Sequence, residues 1–103
     1  MRVHLGEIAR RDVDLLWDYC FFEFGGTQAD ILLDRIYGTM KETIGAFPDC
    51  GRLRPEFGRG VRSFPVLPYI LFYRVEPRRT TILRVLHGRR DLNGPLMSLM
   101  LSA

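Results

Sequence analysis

The sequence predicts an α+β domain in two layers, ordered β-α-α-β-β-β, with a helical hairpin on one face of an antiparallel sheet of four to five strands. Three observations carry this prediction. The hydrophobic period switches once along the chain, from 3.6 residues to 2. The helical half is interrupted only at Gly25-Gly26, and the strand half only by short turn signals. A chain of 103 residues with 47% hydrophobic and 12% aromatic content has the size and composition of one globular domain, residues 1–103.

The elements follow in order. Residues 2–8, RVHLGEI, alternate weakly and predict a first strand. Asp12 then stands as an N-cap before Val13, Leu16, Trp17, Cys20, Phe21 and Phe24, whose spacing forms a wide apolar helical face. Gly25 and Gly26 end this helix, because glycine takes positive φ without penalty. Thr27 and Asp30 resemble a capping box for a second helix. Its apolar face is Ala29, Leu32, Leu33, Ile36 and Met40, with Ile44 beyond. The short connection makes the pair an antiparallel hairpin over about 10–46.

Pro48, Gly51, Pro55, Gly58 and Gly60 punctuate a long loop over 47–60, with room for a short strand at GRLRP. VRSFPV (61–66), YILFYRVE (69–76) and TTILRVLH (80–87) are strand runs at meander spacing. Pro65 cannot donate to a ladder, so its strand is bulged or lies at an edge there. The apolar tail LNGPLMSLMLSA reads either as a short C-terminal helix or as a segment ordered by a partner. The helices must cover one sheet face, which leaves the other face free for arginines.

Charge is divided unevenly. Residues 1–50 hold five basic and nine acidic side chains, a net of −4. Residues 51–103 hold ten arginines and three acids, a net of +7. Lys41 is the single lysine. Arginine's planar fork grips carboxylate and phosphate bidentately, so the second half suits an acidic partner, a nucleic acid or a protein segment. Arginine-rich codon usage is the plainer explanation of the count.

No apolar run reaches the roughly 20 residues of a membrane span, and MRVHLGEIARR lacks the apolar core of a secretory signal. A cytoplasmic protein without a membrane partner is expected. Cys20 and Cys50 fit no metal spacing; a disulfide between them is the alternative to the reading as two reduced, buried thiols. Phosphate-loop, zinc-protease and nucleophile-elbow motifs are missing, so neither cofactor nor metal is expected.

What remains is a basic set: Arg62, Arg84, His87, Arg89 and Arg90. Alternation puts Ile82, Arg84 and Leu86 on one strand face and Leu83, Val85 and His87 on the other. Arg84 reads equally as a partner contact or as the holder of a structural carboxylate such as Asp91 or Glu56. His87 reads as a hydrogen-bonded strand end or as a general base. Trp17 and Tyr37 read as core or helix-hairpin contacts rather than as a stacking platform. Arg78, Arg79, Arg89 and Arg90 read as a solvated rim unless they act collectively.

Three stretches carry a family resemblance: LLWDYCFFEFGGTQAD (15–30), GRLRPEFGRGVRSFPVLPYILFYRV (51–75) and ILRVLHGRRD (82–91). In this order they resemble the RelE/ParE superfamily of type II toxin–antitoxin toxins, over nearly the whole chain. The resemblance implies a RelE-like fold and a cognate antitoxin that binds the toxin directly and masks its basic face. It also implies growth arrest, a part in plasmid stabilisation, and operator DNA contact only through the antitoxin. The chain is more similar to the ParE branch, whose members poison DNA gyrase, than to the RelE branch, whose members cut mRNA on the ribosome. RelE-type members place an arginine directly after the central-strand aromatic and a tyrosine near the C-terminus. Here Ile70 follows Tyr69, and no Tyr, Lys or His follows Asp91. Arg90 and Arg62 match basic positions of the nucleases, and some RelE-like members use a histidine on the last strand. Ribonuclease activity with His87, Arg84, Arg62 and Arg90 as catalytic residues is therefore the runner-up. A binding module that has lost toxicity is the third reading. For antitoxin or target binding, the resemblance and the charge point to Arg62, Arg84, His87, Arg89 and Arg90.

Overall fold

A computed structural model describes residues 2–91. Two helices, α1 (Glu7–Phe24) and α2 (Gly26–Gly38), follow a short strand β1 (Val3–Leu5). A π-helical segment, Thr39–Ile44, prolongs α2. Then come β2 (Arg52–Leu53), a 3-10 turn at Pro55–Phe57, β3 (Val61–Val66), β4 (Tyr69–Val75) and β5 (Thr80–His87). The five strands form one sheet in the order β1-β5-β4-β3-β2. The α+β class, the hairpin and the three principal strands are as the sequence predicts. The apolar tail, residues 92–103, lies outside the described residues. Both cysteines are free thiols, but only Cys20 is buried; Cys50 is exposed.

Four local expectations are corrected. The sheet is mixed, since β1 runs parallel to β5 from Val3↔Thr80 to Leu5↔Ile82. Helix α1 starts at Glu7 with Gly6 as its N-cap, so Asp12 sits one and a half turns inside it rather than at its start. Its carboxylate is committed to β5 instead, as described below. Thr27 and Asp30 form no capping box; α2 begins directly from Gly25, whose φ of 91° links the two helices. Asp30 accepts from Trp17 Nε1 at 3.2 Å, which ties the hairpin together as expected of Trp17. Finally, Phe21 and Phe24 are largely exposed, so the buried face of α1 is narrower: Ala9, Val13, Leu16 and Cys20.

That face meets Ile36, Met40 and Ile44 from the second helix and Leu71, Tyr73, Ile82 and Val85 from the sheet. The opposite sheet face is not bare. Val61, Phe72 and Leu86 cluster there, and Phe57 of the 3-10 turn covers Phe72 edge-on at 5.5 Å. Pro65 pairs with Ile70 of β4, and β2 reaches only Ser63 and Arg62 on its other side, so Pro65 lies at a free edge.

The expected alternation along β5 fails at a bulge. Phe72 opposes Arg84 while the next residue, Tyr73, opposes Ile82, leaving Leu83 as the extra residue. Ile82 and Val85 consequently both join the helix-side core, and Leu83 and Leu86 both join the far cluster.

Candidate functional site

The five sequence candidates do not form one site: Arg84 and Arg90 line a common pocket with Asp12, Tyr69 and Asp91, whereas Arg62 lies outside it. Arg62 opposes Tyr73 and Arg84 opposes Phe72, adjacent positions of β4. Tyr73 belongs to the helix-side core and Phe72 to the far cluster, and the two guanidinium groups go to different elements, Arg62 to the 47–51 loop and Arg84 to α1. Arg62 is occupied by the 47–51 loop: Nη1 donates to the carbonyls of Gly51 at 2.8 Å and Asp49 at 3.1 Å, and Nη2 lies 3.6 Å from the Asp49 carboxylate.

Arg84 is buried, and its partner is neither Asp91 nor Glu56. It forms a two-pronged pair with Asp12 of α1: Nε to Oδ2 at 2.8 Å and Nη2 to Oδ1 at 3.0 Å. The reason lies in the sheet edge. β1 ends at Leu5, so β5 has no strand neighbour on that side beyond Ile82. Helix α1 passes alongside, and Asp12 Oδ2 also accepts the Val85 N–H at 2.9 Å. One carboxylate thus satisfies both the strand edge and the arginine beside it. Glu56 instead lies 3.7 Å from Arg54, and Asp91 lies 3.3 Å from Arg90.

The remaining candidates gather where β5 ends. Asp91 accepts the His87 N–H at 2.8 Å and so closes the turn after the strand. His87 Nδ1 accepts the N–H groups of Arg89 at 3.2 Å and Arg90 at 3.1 Å. A ring nitrogen that accepts is unprotonated, so the neutral imidazole carries its proton on Nε2. The ring meets Tyr69 edge-on at 5.4 Å. Arg90 lays its guanidinium over the Tyr19 ring of α1, 4.9 Å from the centroid. Burial lowers the affinity of Arg90 for its proton, but Asp91 and Tyr69 outweigh this and raise it. Burial pushes the Tyr69 hydroxyl up, with Arg90 opposing. Arg89 is exposed.

Beside this corner lies a cleft of ≈ 420 Å³ between the helices and the strand ends, lined by Tyr19, Phe24, Ile31, Leu32, Tyr69 and His87. On its outer side α1 displays Leu15, Tyr19 and Phe22, which are 67%, 47% and 84% exposed. The chemistry offered is recognition: fixed cations beside apolar surface, a combination that fits a carboxylate-bearing peptide. Among the described residues no cluster of metal-ligating side chains exists. Sequence reasoning missed Asp12 as the partner of Arg84, and it missed Tyr19. The i, i+4, i+7 spacing of Leu15, Tyr19 and Phe22 was available as a second helical stripe.

A helical hairpin on a five-stranded mixed sheet, with a basic corner after the last strand, is an architecture shared with small type II toxin–antitoxin toxins. Within it, the family model described as "ParE toxin of type II toxin-antitoxin system, parDE" matches residues 3–92, and the chain belongs to that family. Toxin ParE3 of Caulobacter vibrioides is 40% identical over 53 residues, which is 52% of this chain and 53% of that protein. The alignment thus spans about half the length of this curated relative. The fold is shared with a chromosomal ParDE system from P. aeruginosa, at TM-score 0.71 and 22% identity over 84% of this chain and 95% of that one. It is also shared with the toxin–antitoxin complex RelBE2 from Mycobacterium tuberculosis, at TM-score 0.64 and 26% identity over the same shares.

Proposed function

We propose that this toxin arrests growth in the cytoplasm by inhibiting DNA gyrase, and that a cognate antitoxin neutralises it by direct binding. The observation that carries the target is the scattering of the nuclease candidates. Cleavage of RNA by 2′-hydroxyl attack needs a base, an acid and cations around one phosphate. Arg84 and Arg90 line one pocket, but Arg62 and His87 lie outside it, and Arg62 and Arg84 are each held by a carboxylate of their own chain. His87 spends Nδ1 on two backbone N–H groups. Membership of the ParE family supports the same target. The likeness to a RelBE2 toxin–antitoxin complex is the observation that favours the alternative, ribosome-dependent mRNA cleavage.

Purified toxin tested in a gyrase supercoiling assay and a ribosome-programmed cleavage assay separates the readings. Loss of supercoiling with intact mRNA is expected. Codon-specific mRNA cuts with supercoiling untouched would overturn the proposal and make His87, Arg84, Arg62 and Arg90 catalytic candidates. Inactivity in both assays, with antitoxin binding retained, would identify a binding module that has lost toxicity.

For the antitoxin, an acidic segment docking on the corner after β5 meets Arg89 at an exposed rim and Arg90 on a structured seat. Rim charges alter association rate and its salt dependence more than affinity. Arg89→Ala is expected to change affinity by less than about threefold while flattening the salt dependence of association. Binding kinetics over a salt series measure both. An unchanged salt slope would remove Arg89 from the interface.

A further inference from the structure

The sheet face away from the helices gathers arginines. Arg52 opposes Ser63 and Ser63 opposes Phe72, so Arg52 shares a face with the far cluster. Arg74, two residues along β4 from Phe72, lies on that face too. Its Nε donates to the Arg59 carbonyl at 3.0 Å, which fixes Arg59 beside it. The turn from β4 to β5 adds Arg78 and Arg79, and the Arg2 carbonyl accepts the Thr80 N–H at 2.7 Å. Arg2, Glu76, Pro77, Arg78 and Arg79 line one shallow cleft of ≈ 520 Å³. Arg2, Arg52, Arg59 and Arg78 are exposed, and among the described residues their guanidinium groups have no acidic partner. The acids close by are already engaged, Glu56 by Arg54, and Glu76 by Arg79 and the Thr81 hydroxyl.

The surroundings limit the partner. A protein or amphipathic peptide needs apolar anchors at the centre of its contact. Here the apolar cluster of Val61, Phe72 and Leu86 is buried, and Phe57 packs over it. Leu53, exposed on β2, stands in the register row of Tyr73, which belongs to the helix-side core. Single-stranded nucleic acid draws on open aromatic rings for base stacking. The Phe57 ring is taken, edge-on by Phe72 and by the Arg54 guanidinium 5.9 Å from its centroid. A duplex backbone asks only for spaced cations. The five strands spread these arginines over about 19 Å, a length over which one DNA strand presents about five phosphates.

We infer that Arg2, Arg52, Arg59 and Arg78 form a track that grips the phosphate backbone of duplex DNA without reading its sequence. The track lies where β5 begins, and the Arg89–Arg90 corner lies where β5 ends, so the toxin carries two separate basic surfaces. The inference deepens the gyrase reading and rests on it for the choice of DNA over double-stranded RNA.

The test follows binding of the full chain to a short labelled DNA duplex by fluorescence anisotropy over a salt series, without gyrase. The double variant Arg59→Ala, Arg78→Ala is expected to make the slope of log K against log salt shallower by about 1.8, two phosphate contacts at about 0.9 each. Arg10→Ala, Arg11→Ala removes the same charge from exposed positions of α1 and is expected to leave the slope unchanged. Circular dichroism checks the fold of each variant, and Arg52→Ala with Arg78→Ala replaces the first pair if that pair is unfolded. An equal loss of slope in both double variants would overturn the inference, by making net charge the cause. Absence of binding by the wild type at low salt would overturn it as well, and would leave the gyrase reading standing because gyrase takes no part in the assay. Tighter binding to duplex RNA of the same sequence would overturn the choice of DNA. Displacement by polyglutamate as effective as displacement by unlabelled duplex at equal charge would make an acidic protein segment the partner instead.

Discussion

Asp12→Ala is expected to lower the free energy of unfolding by about 3–5 kcal/mol, the usual cost of leaving one charge of a buried pair without its partner. The side chains of Arg84 and Asp12 are 8% and 10% exposed, so solvent screening offers Arg84 little relief once the carboxylate is gone. The Val85 N–H loses its acceptor in the same step. For a domain whose total stability is of the order of 5–15 kcal/mol, this is a large fraction. Urea unfolding followed by circular dichroism measures it, and Arg84→Ala should be comparable. The double variant Asp12→Ala, Arg84→Ala should cost clearly less than the sum of the single ones, because it removes both charges together. A cost below about 1 kcal/mol for Asp12→Ala would place the pair among ordinary surface ion pairs and would be at odds with its burial. The result bears on function as well. Partner binding by Arg84 variants is meaningful only under conditions where the fold survives, and Asp12→Ala is the control that weakens the fold without removing the arginine.

The same pair shows where the sequence could be read and where it could not. Helix α2 and strands β3, β4 and β5 declare themselves locally, since each carries its own period and its own breakers. Gly25 marks the boundary between the helices because positive φ is a local demand. The partner of Arg84 lies 72 residues away, and no local pattern selects Asp12 over Asp91 or Glu56. Aspartate is a good cap, so Asp12 reads as one, but its carboxylate serves a sheet edge that exists only once β1 stops at Leu5. The parallel pairing of β1 with β5 joins residues 77 apart in sequence, which no local pattern declares either. The bulge at Leu83 is invisible in ILRVLH, since an extra residue in an apolar run alters no residue type. What holds Arg62 and Arg84 apart is equally unread: the 47–51 loop binds the first and Asp12 of α1 the second. The members of the candidate site were therefore legible as a charge pattern, and their arrangement was not.

Tyr73 should make stability fall steeply at alkaline pH. Its side chain is completely buried, and its hydroxyl donates to the Pro48 carbonyl at 2.8 Å while accepting the Gly51 N–H at 2.8 Å. Burial pushes its pKa from 10.0 up to about 12, reinforced by the Cys50 thiol 3.9 Å away and opposed by the Gly51 N–H. A folded-state value above the unfolded one means that the unfolded chain releases the proton first as pH rises. The stabilisation is complete below pH 10.0 and is lost between there and about pH 12. The upper bound of this loss is about 2.7 kcal/mol for a shift of two units. Tyr73→Phe should remove Tyr73's share of the alkaline slope. Tyr69, also raised by burial, keeps its own share. At neutral pH the same variant should cost about 1–3 kcal/mol, because it leaves the Gly51 N–H and the Pro48 carbonyl without their partner. Gly51→Ala probes the contact from the other side: a Cβ there would stand 2.5 Å from the Tyr73 oxygen and 2.9 Å from the Ser63 carbonyl, so the 47–51 loop must move. Arg62 holds the same loop, so Gly51→Ala should also expose the Arg62 guanidinium. Urea midpoints from pH 7 to 11 for the three proteins decide the matter. Parallel curves for wild type and Tyr73→Phe would mean that Tyr73 titrates normally, and coincident midpoints at pH 7 would mean that its two hydrogen bonds do not anchor the loop.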